Sequence, residues 1–145
     1  MKLLITRLAH APEGLPEYHS EGAVGMDLRL ASGDVTLLPG QRELLPTGYA
    51  IAVPEGFEGQ VRMRSSFALK TGIIMPNSPG TIDPDYRGEL KVLVMNAGQQ
   101  PVTIQSLERF AQLIIAPVVR CTWEVVENLP PSARNQGGFG STGSR

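Results

Sequence analysis

Glycine and proline are spread along the whole chain rather than pooled in one linker. Sixteen Gly and twelve Pro divide its 145 residues into short apolar segments. Because both residue types interrupt helices, this spacing leaves little room for a long helix. It is typical of an all-β barrel or sandwich built from short strands. We expect one all-β domain with at most one short helix, at residues 67–70.

The apolar runs between these breaks predict the strands. The predicted strands cover residues 2–8, 22–30, 35–38, 42–45, 48–53, 61–64, 72–75, 91–96, 102–104, 110–119 and 122–126. After residue 127 the apolar content collapses, and such a segment cannot bury enough surface to fold alone. We therefore predict a β-barrel domain over residues 1–127 and a flexible glycine-rich arm over residues 128–145.

Charge and cysteine content narrow the function classes. Thirteen Lys and Arg against fourteen Asp and Glu give a net charge of -1, so no broad attraction to nucleic acid or to an anionic membrane is expected. The single Cys121 cannot form an intrachain disulfide, and the apolar run at residues 3–5 is too short for a signal peptide or a membrane span. We expect a cytoplasmic protein with no nucleic-acid or membrane partner. His10 and His19 lack a nearby Cys or second His at ligand spacing and are expected to face solvent.

Residues 80–90, GTIDPDYRGEL, combine two carboxylates, an aromatic ring and two glycines. Asp83 and Asp85 flank Pro84, which is a tight-turn sequence, and Gly80 and Gly88 allow the chain to bend on each side. The segment predicts the tip of a β-hairpin that presents its side chains. From these residues alone, an ordinary polar hairpin and a functional loop are both open.

Three further positions carry polar groups that suit phosphate or metal chemistry. Arg64, Ser65 and Ser66 bring a guanidinium and two hydroxyls together, which suits phosphate oxygens, although a surface Arg beside a helix-capping Ser is the alternative. Gln112 interrupts an apolar strand and needs a hydrogen-bond partner, which a core network or a ligand would supply. Asp27 between Met26 and Leu28 is either a strand-end charge or a ligand, direct or through water, for a hard cation such as Mg²⁺.

The C-terminal arm places one large apolar residue among flexible donors. Phe139 has nothing local to pack on, and Arg134, Ser141 and Thr142 surround it. The arm is either a disordered tail or a lid that closes over a nucleotide. No Ser/His/Asp triad, P-loop, GxGxxG or HExxH motif is found.

Taken in order, five segments resemble the five motifs of the homotrimeric dUTPase family. They are GAVGMDL, RSSFALK, NSPGTIDPDYRGEL, ERFAQLI and RNQGGFGSTG, and they run from residue 22 to residue 143. The resemblance implies a jelly-roll-like distorted β-barrel (a β-clip) that forms a homotrimer with active sites shared between chains. It implies a dUTP diphosphatase that cleaves dUTP to dUMP and pyrophosphate with Mg²⁺, which keeps uracil out of DNA and supplies dUMP for thymidylate synthesis.

The resemblance also implies roles for individual residues. Asp83 matches the general base that activates water for in-line attack at the α-phosphorus, and Tyr86 matches the aromatic residue under the deoxyribose. The residues expected to read or approach the uracil are Asn77, Gly80, Thr81, Ile82 and Lys91. Those expected to contact phosphates are Arg64, Ser65, Ser66 and Gln112. Asp27 matches the acidic residue that supports the metal through water, Phe139 would stack on the uracil, and the residues that would close over the phosphates are Arg134, Gly140, Ser141 and Thr142.

Two positions depart from the family pattern. Ser66 replaces the more usual Gly of the second motif, and Leu107 stands where Gly usually precedes the acidic residue of the fourth motif. The sequence Arg-Ser-Ser at residues 64–66 also resembles the corresponding motif of the related dCTP deaminases, so such an enzyme is the main alternative. The deaminases, however, use a Glu at the position of Leu93, and leucine cannot transfer protons. A non-catalytic trimeric nucleotide-binding protein is the third hypothesis.

Overall fold

The computed structural model describes residues 1–137, which form ten strands and one short helix. In chain order the elements are β1 (Leu4–Arg7), β2 (Met26–Arg29), β3 (Val35–Leu37), β4 (Arg42–Ala52), β5 (Phe57–Met63), α1 (Ser65–Thr71), β6 (Ile73–Ile74), β7 (Gly80–Ile82), β8 (Glu89–Asn96), β9 (Val102–Ile104) and β10 (Arg109–Pro117). The predicted all-β fold with one short helix is confirmed.

The strands form two four-stranded antiparallel sheets and one two-stranded sheet. The strand orders are β1-β4-β8-β6, β2-β10-β5-β7 and β3-β9. Consecutive strands repeatedly change sheet, as in the predicted jelly-roll-like distorted barrel. The second sheet carries much of the predicted site. Asp27 lies on β2, Gln112 on β10 and residues 80–82 on β7, and Arg64 directly follows β5.

Apolar side chains of the two larger sheets form one core. Its largest fully buried members include Leu28, Leu45, Val92, Phe110 and Leu113. Helix α1 adds Phe67, whose ring meets that of Phe110 edge-on with 6.3 Å between centroids. This aromatic contact fixes the start of the helix beside β10, and the helix ends at Gly72, which has the left-handed conformation with φ of 72° that glycine tolerates.

Several predicted boundaries differ from the structure. The two predicted strands at residues 42–45 and 48–53 form one strand, β4, whose pairing with β8 shifts register between Pro46 and Ala50. Strand β5 begins at Phe57 rather than at residue 61, and the helix is longer than residues 67–70. Only the prediction for residues 102–104 has the same bounds as the observed strand.

Residues 80–90 do not form the predicted hairpin. Strand β7 pairs with β5, whereas β8 pairs with β4 and β6 in the other sheet. The connection between them, residues 83–88, is therefore a crossover between sheets, which we call the 83–88 turn. Its residues predict a chain reversal, but local sequence does not determine which strands pair across it.

The predicted strand at residues 122–126 is also absent. In the described chain the last strand ends at Pro117, and residues 118–136 lie exposed without helix or strand. Trp123 and Val125 are 98% and 97% exposed. The alternating apolar pattern is typical of a strand, but a strand also needs a neighbouring strand to pair with, and within residues 1–137 this segment has none. Within the same residues, no helix is long and apolar enough to cross a membrane.

Candidate active site

A narrow pocket of about 250 Å³ opens between β7, β8 and the 83–88 turn. Its volume is at the small end of ligand pockets. The pocket brings together the predicted general base and all six residues that were expected at the uracil or the deoxyribose. These seven residues are Asn77, Gly80, Thr81, Ile82, Asp83, Tyr86 and Lys91. Buried Val61 and Met75 and half-buried Leu93 supply apolar wall. The pocket therefore combines an apolar wall with polar and charged side chains.

Tyr86 is held across the 83–88 turn by its own neighbours. Its hydroxyl donates to the carbonyl oxygen of Glu89 at 3.0 Å, and its backbone N–H donates to the carbonyl of Asp83 at 3.2 Å. The ring covers Gly88 so closely that a Cβ there would lie 2.6 Å from Tyr86 Cζ. A Cβ at residue 88 would therefore displace the ring of Tyr86, and Gly88 leaves the ring in place as one wall of the pocket.

Gly80 has a different reason to be glycine. A Cβ at this position would lie 3.3 Å from Met75 Cε and 3.4 Å from Asn77 Nδ2, both of which line the pocket. An added methyl group would crowd the same wall that a ligand has to approach.

Glu89 is a pocket residue that the sequence-based reasoning missed. Its Oε1 accepts a hydrogen bond from the N–H of Gly48 at 2.9 Å and lies 2.7 Å from His10 Nε2, while Oε2 lies 3.6 Å from Lys91 Nζ. Burial alone would raise the pKa of Glu89, but the hydrogen bonds of His10 and Gly48 and the charges of His10 and Lys91 lower it overall. Glu89 is thus an anion at neutral pH. Its partners Gly48 and His10 lie 41 and 79 positions away from it in the sequence.

Asp83 is exposed at the rim of the pocket. Together with Thr81 it also lines a larger groove of about 1160 Å³, which includes Phe57, Arg87 and Arg120. Asp83 therefore borders both the narrow pocket and the larger groove, and its exposure gives water access to it. Asp85, by contrast, borders only the larger groove.

A second group of polar side chains surrounds Asp27 on β2. Its Oδ1 lies 3.1 Å from Arg64 Nε, and its Oδ2 lies 3.2 Å from Arg109 Nη1 and 3.1 Å from His19 Nε2. Arg64 also donates from Nη1 to the carbonyl of Arg109 at 3.1 Å. We call Asp27, Arg64, Arg109 and His19 the Asp27 cluster. His10 and His19 are both partly exposed, as expected, but each contacts a carboxylate.

Gln112 lies beside this cluster, because it pairs with Asp27 across β10 and β2 and the two side chains share one face of the sheet. Its Nε2 donates to the carbonyl of Met63 at 3.2 Å. Its other end faces Gly25, where a Cβ would lie only 3.1 Å from Gln112 Cδ. Gly25 and Met63 thus fix the orientation of the amide, so a protein contact satisfies its Nε2–H.

Ser65 and Ser66 begin helix α1 and are both exposed. The residue at the N-cap position is Arg64, and within the described chain it makes no side-chain capping bond. The alternative in which a serine caps the helix is therefore wrong for Ser65 and Ser66. Both serines directly follow Arg64 of the Asp27 cluster in the sequence.

Arg134 is exposed and donates from Nε to the carbonyl of Gly137 at 2.7 Å, within its own segment. The predictions for Phe139, Gly140, Ser141 and Thr142 lie outside the described residues. Neither Arg134 nor any member of the Asp27 cluster is among the residues that line the narrow pocket of the described chain.

The donor set around Asp27 fits a metal only through water. Both carboxylate oxygens already contact cationic side chains, and within residues 1–137 no group of three or more His, Cys, Asp or Glu could hold an ion. A carboxylate has about four lone-pair sites, and three contacts leave one that could accept from a metal-bound water. Direct coordination by Asp27 does not fit.

A β fold that carries a small pocket with one aromatic wall and an exposed carboxylate, and also an arginine-rich cluster, suits the binding of a nucleotide. The family model for dUTPase matches residues 12–143. The chain belongs to the dUTPase family.

Relatives and solved structures agree with this membership. The chain is 55% identical over 132 residues to the deoxyuridine 5'-triphosphate nucleotidohydrolase of Anaeromyxobacter sp. (strain Fw109-5), covering 91% of this chain and 89% of that protein. It is 53% identical over 146 residues to the protein of that name from Rhizobium etli, covering 97% and 93%. The dUTPase of Staphylococcus bacteriophage 80alpha, solved with dUPNHPP, superimposes with a TM-score of 0.89 at 26% identity over 98% of each chain.

Proposed function

We propose that this chain hydrolyses dUTP to dUMP and pyrophosphate. The observation that carries the proposal is the convergence of seven residues of the third motif and β8, including Asp83 and Tyr86, in one narrow pocket. Family membership supports it, as do relatives more than 50% identical that are named deoxyuridine 5'-triphosphate nucleotidohydrolase. The reaction removes dUTP before uracil enters DNA and supplies dUMP for thymidylate synthesis, and we place it in the cytoplasm, where nucleotides are made.

In this proposal the base and sugar occupy the narrow pocket. Backbone groups of Gly80, Thr81 and Ile82, with the amide of Asn77, read the uracil edge, and Lys91 lies near the base. The ring of Tyr86, fixed over Gly88, packs under the deoxyribose and leaves no room for a 2′-hydroxyl. The small volume of the pocket favours uracil over a base with a 5-methyl group.

Asp83 acts as the general base. Its exposed position on the rim allows a water to lie between the carboxylate and the α-phosphate. Asp83 accepts a proton while the water oxygen bonds to the α-phosphorus, and the bond from that phosphorus to the bridging oxygen of the departing pyrophosphate breaks. Positioned general bases typically contribute about 10²- to 10⁴-fold to a rate.

In this proposal the triphosphate contacts Arg64, which belongs to the Asp27 cluster, and three residues beside that cluster: Ser65, Ser66 and Gln112. Two guanidinium groups against one carboxylate leave the Asp27 cluster with excess positive charge, which suits a polyanion. Mg²⁺ would be held mainly by the phosphates and water, with Asp27 reaching it through water, and when bound it neutralises phosphate charge.

We propose that the catalytic unit is a homotrimer whose sites combine different chains. No member of the Asp27 cluster lines the narrow pocket of the described chain, and a second copy of the chain would bring the two groups together. The exposed apolar residues after β10, including Val119, Trp123 and Val125, need a surface that the described chain does not offer. The arm at residues 128–145 would then close over the nucleotide, with Phe139 on the uracil and Arg134, Gly140, Ser141 and Thr142 over the phosphates.

The pocket lining argues against a dCTP deaminase, which is the main alternative. Leu93 lines the pocket at the position where that enzyme needs a proton-transferring Glu. Two other carboxylates line the pocket: Asp83 lies at its exposed rim, and Glu89 is held by its contacts with Gly48 and His10.

The direct test is to offer the purified protein dUTP, dCTP, dTTP and UTP with Mg²⁺ and to measure pyrophosphate and ammonia. We expect pyrophosphate from dUTP with little from the other three nucleotides. Ammonia from dCTP would replace the proposal by the deaminase. No turnover of any nucleotide, together with nucleotide binding, would favour the non-catalytic alternative.

A further inference from the structure

His19 lies outside all five motif segments, in the loop before β2, yet it reaches the centre of the Asp27 cluster. Its Nε2 is 3.1 Å from Asp27 Oδ2 and 2.9 Å from Arg109 Nη1. The loop itself is tied to β2, because the N–H of Asp27 donates to the carbonyl of Glu17 at 3.2 Å. The imidazole is therefore presented to the cluster by a backbone contact two residues before it.

One nitrogen of His19 serves two partners of opposite character. An Nε2–H donates to the carboxylate of Asp27, whereas an Nε2 without hydrogen accepts from Arg109. Either tautomer of His19 is compatible with the contact between Arg109 Nη1 and Asp27 Oδ2, which measures 3.2 Å. With hydrogen on Nε2, His19 and Arg109 both donate to Oδ2; without it, His19 accepts from Arg109, which itself donates to Oδ2. In both tautomers His19 supports the contacts of Oδ2, whereas Oδ1 is the atom that faces Arg64.

This arrangement has a consequence for Arg64. With Oδ2 engaged by His19 and Arg109, Oδ1 is directed to Arg64 Nε at 3.1 Å. Arg64 is also held by its contact with the carbonyl of Arg109, so two fixed acceptors set the orientation of its guanidinium. The Asp27 side chain is only 12% exposed, whereas Arg64 is 27% exposed, so the carboxylate is the fixed member of the pair and the guanidinium is the one with access to a ligand.

We infer that His19 is a positioning residue for the phosphate site: it fixes the rotamer of Asp27 and, through Asp27, the guanidinium of Arg64. The inference rests on the proposed function, because it assigns the phosphates to Arg64. Removal of His19 leaves Arg109 as the one remaining described partner of Oδ2, and the carboxylate gains freedom to rotate. The loss falls on the phosphates, while the base and sugar pocket between β7 and β8 is unaffected.

The test compares ligands that differ only in the number of phosphates. Dissociation constants for a non-hydrolysable dUTP analogue and for dUMP are measured with wild type and His19→Ala at one saturating Mg²⁺ concentration. We expect the analogue to bind His19→Ala roughly three- to tenfold more weakly, as for loss of a partly exposed contact to a charged group. The affinity for dUMP should stay within about twofold of wild type.

Two further variants separate positioning from general damage. His19→Gln, whose amide can donate to Asp27 or accept from Arg109, should recover most of the affinity for the analogue. Ser20→Ala, in the same exposed loop, should behave as wild type for both ligands.

Equal affinity of wild type and His19→Ala for the analogue would overturn the inference, as would an equal weakening of both ligands. Neither outcome bears on the proposed function as long as wild type turns over dUTP. A wild type that binds neither ligand would instead refute the proposed function itself.

Discussion

The ring of Tyr86 lies directly over Gly88, so close that a Cβ at residue 88 would stand 3.0 Å from Tyr86 Cε2 and nearer still to Cζ. This contact explains why a glycine ends the 83–88 turn. The glycine makes room for the aromatic ring that forms one wall of the pocket, and the hydroxyl then reaches the carbonyl of Glu89.

The first prediction concerns Gly88→Ala. The new methyl group should displace the ring of Tyr86 and lower kcat/KM for dUTP by roughly 10- to 100-fold, the size expected for a displacement of about 1 Å in a positioning group. Gly33→Ala is the matched control, since a Cβ at Gly33 meets nothing within 4 Å. Steady-state kinetics of both variants check the prediction, and normal activity of Gly88→Ala would show that the ring position is unimportant.

The second prediction concerns Leu107, which has φ of 64° in the turn before β10. A left-handed conformation at a residue with a side chain costs about 1–3 kcal/mol, and Gly relieves it at some entropic cost. Because Leu107 is 52% exposed, little packing is lost. Leu107→Gly should therefore raise the free energy of unfolding by about 0.5–1.5 kcal/mol.

Denaturant unfolding at one fixed protein concentration measures this change. Leu38→Gly is the control, because Leu38 is 57% exposed and is not among the described residues with positive φ. That variant should lose stability. A loss of stability in Leu107→Gly as well would mean that the leucine side chain makes a contact worth more than the strain.

The third prediction concerns the pH dependence of stability through Glu89. Since its pKa is lower in the folded chain than its ordinary value of 4.5, ionised Glu89 stabilises the fold above that value and the stabilisation is lost as pH falls through the folded pKa. Glu89→Gln should therefore be less stable than wild type at neutral pH. The difference should shrink as pH falls below about 4.5.

Unfolding free energies of both proteins across that pH range provide the measurement. A difference that grows toward low pH would contradict the lowered pKa. A difference that does not change with pH would mean that the charge of Glu89 does not contribute to the stability of the fold.

The fourth prediction concerns the C-terminal arm. Deletion of residues 134–145 should reduce turnover of dUTP severely while the β domain keeps its fold and its assembly state, because the deletion begins well after Pro117, where the last strand of the described residues ends. Kinetics combined with light scattering and circular dichroism test this. Full activity of the truncated protein would return the arm to a tail without function.

Much of this organisation could be predicted from sequence because it depends on local chemistry. Glycine and proline spacing predicts short strands, and the bounds of β9 agree with the prediction. The helix begins two residues before its predicted start at residue 67 and ends against Gly72. Leu107 stands where the family pattern usually has Gly, and in the structure this residue has a positive φ, which Gly tolerates best.

Other features depend on contacts that local sequence does not contain. The alternating residues 122–126 have the pattern of a strand but lack a neighbouring strand in the described chain, and the 83–88 turn joins strands of different sheets. Glu89, Arg109 and His19 were missed because their partners are distant in sequence. Arg109 and His19, for example, are separated by 90 positions.

The most direct test of the account is Asp83→Asn, measured in single turnover with dUTP and Mg²⁺ alongside the dissociation constant of a non-hydrolysable analogue. The amide keeps the size and exposed position of the side chain but cannot accept the proton. We expect a dissociation constant within a few-fold of wild type and a rate lower by roughly 10²- to 10⁴-fold. An unchanged rate with unchanged binding would contradict the assignment of Asp83 as the base.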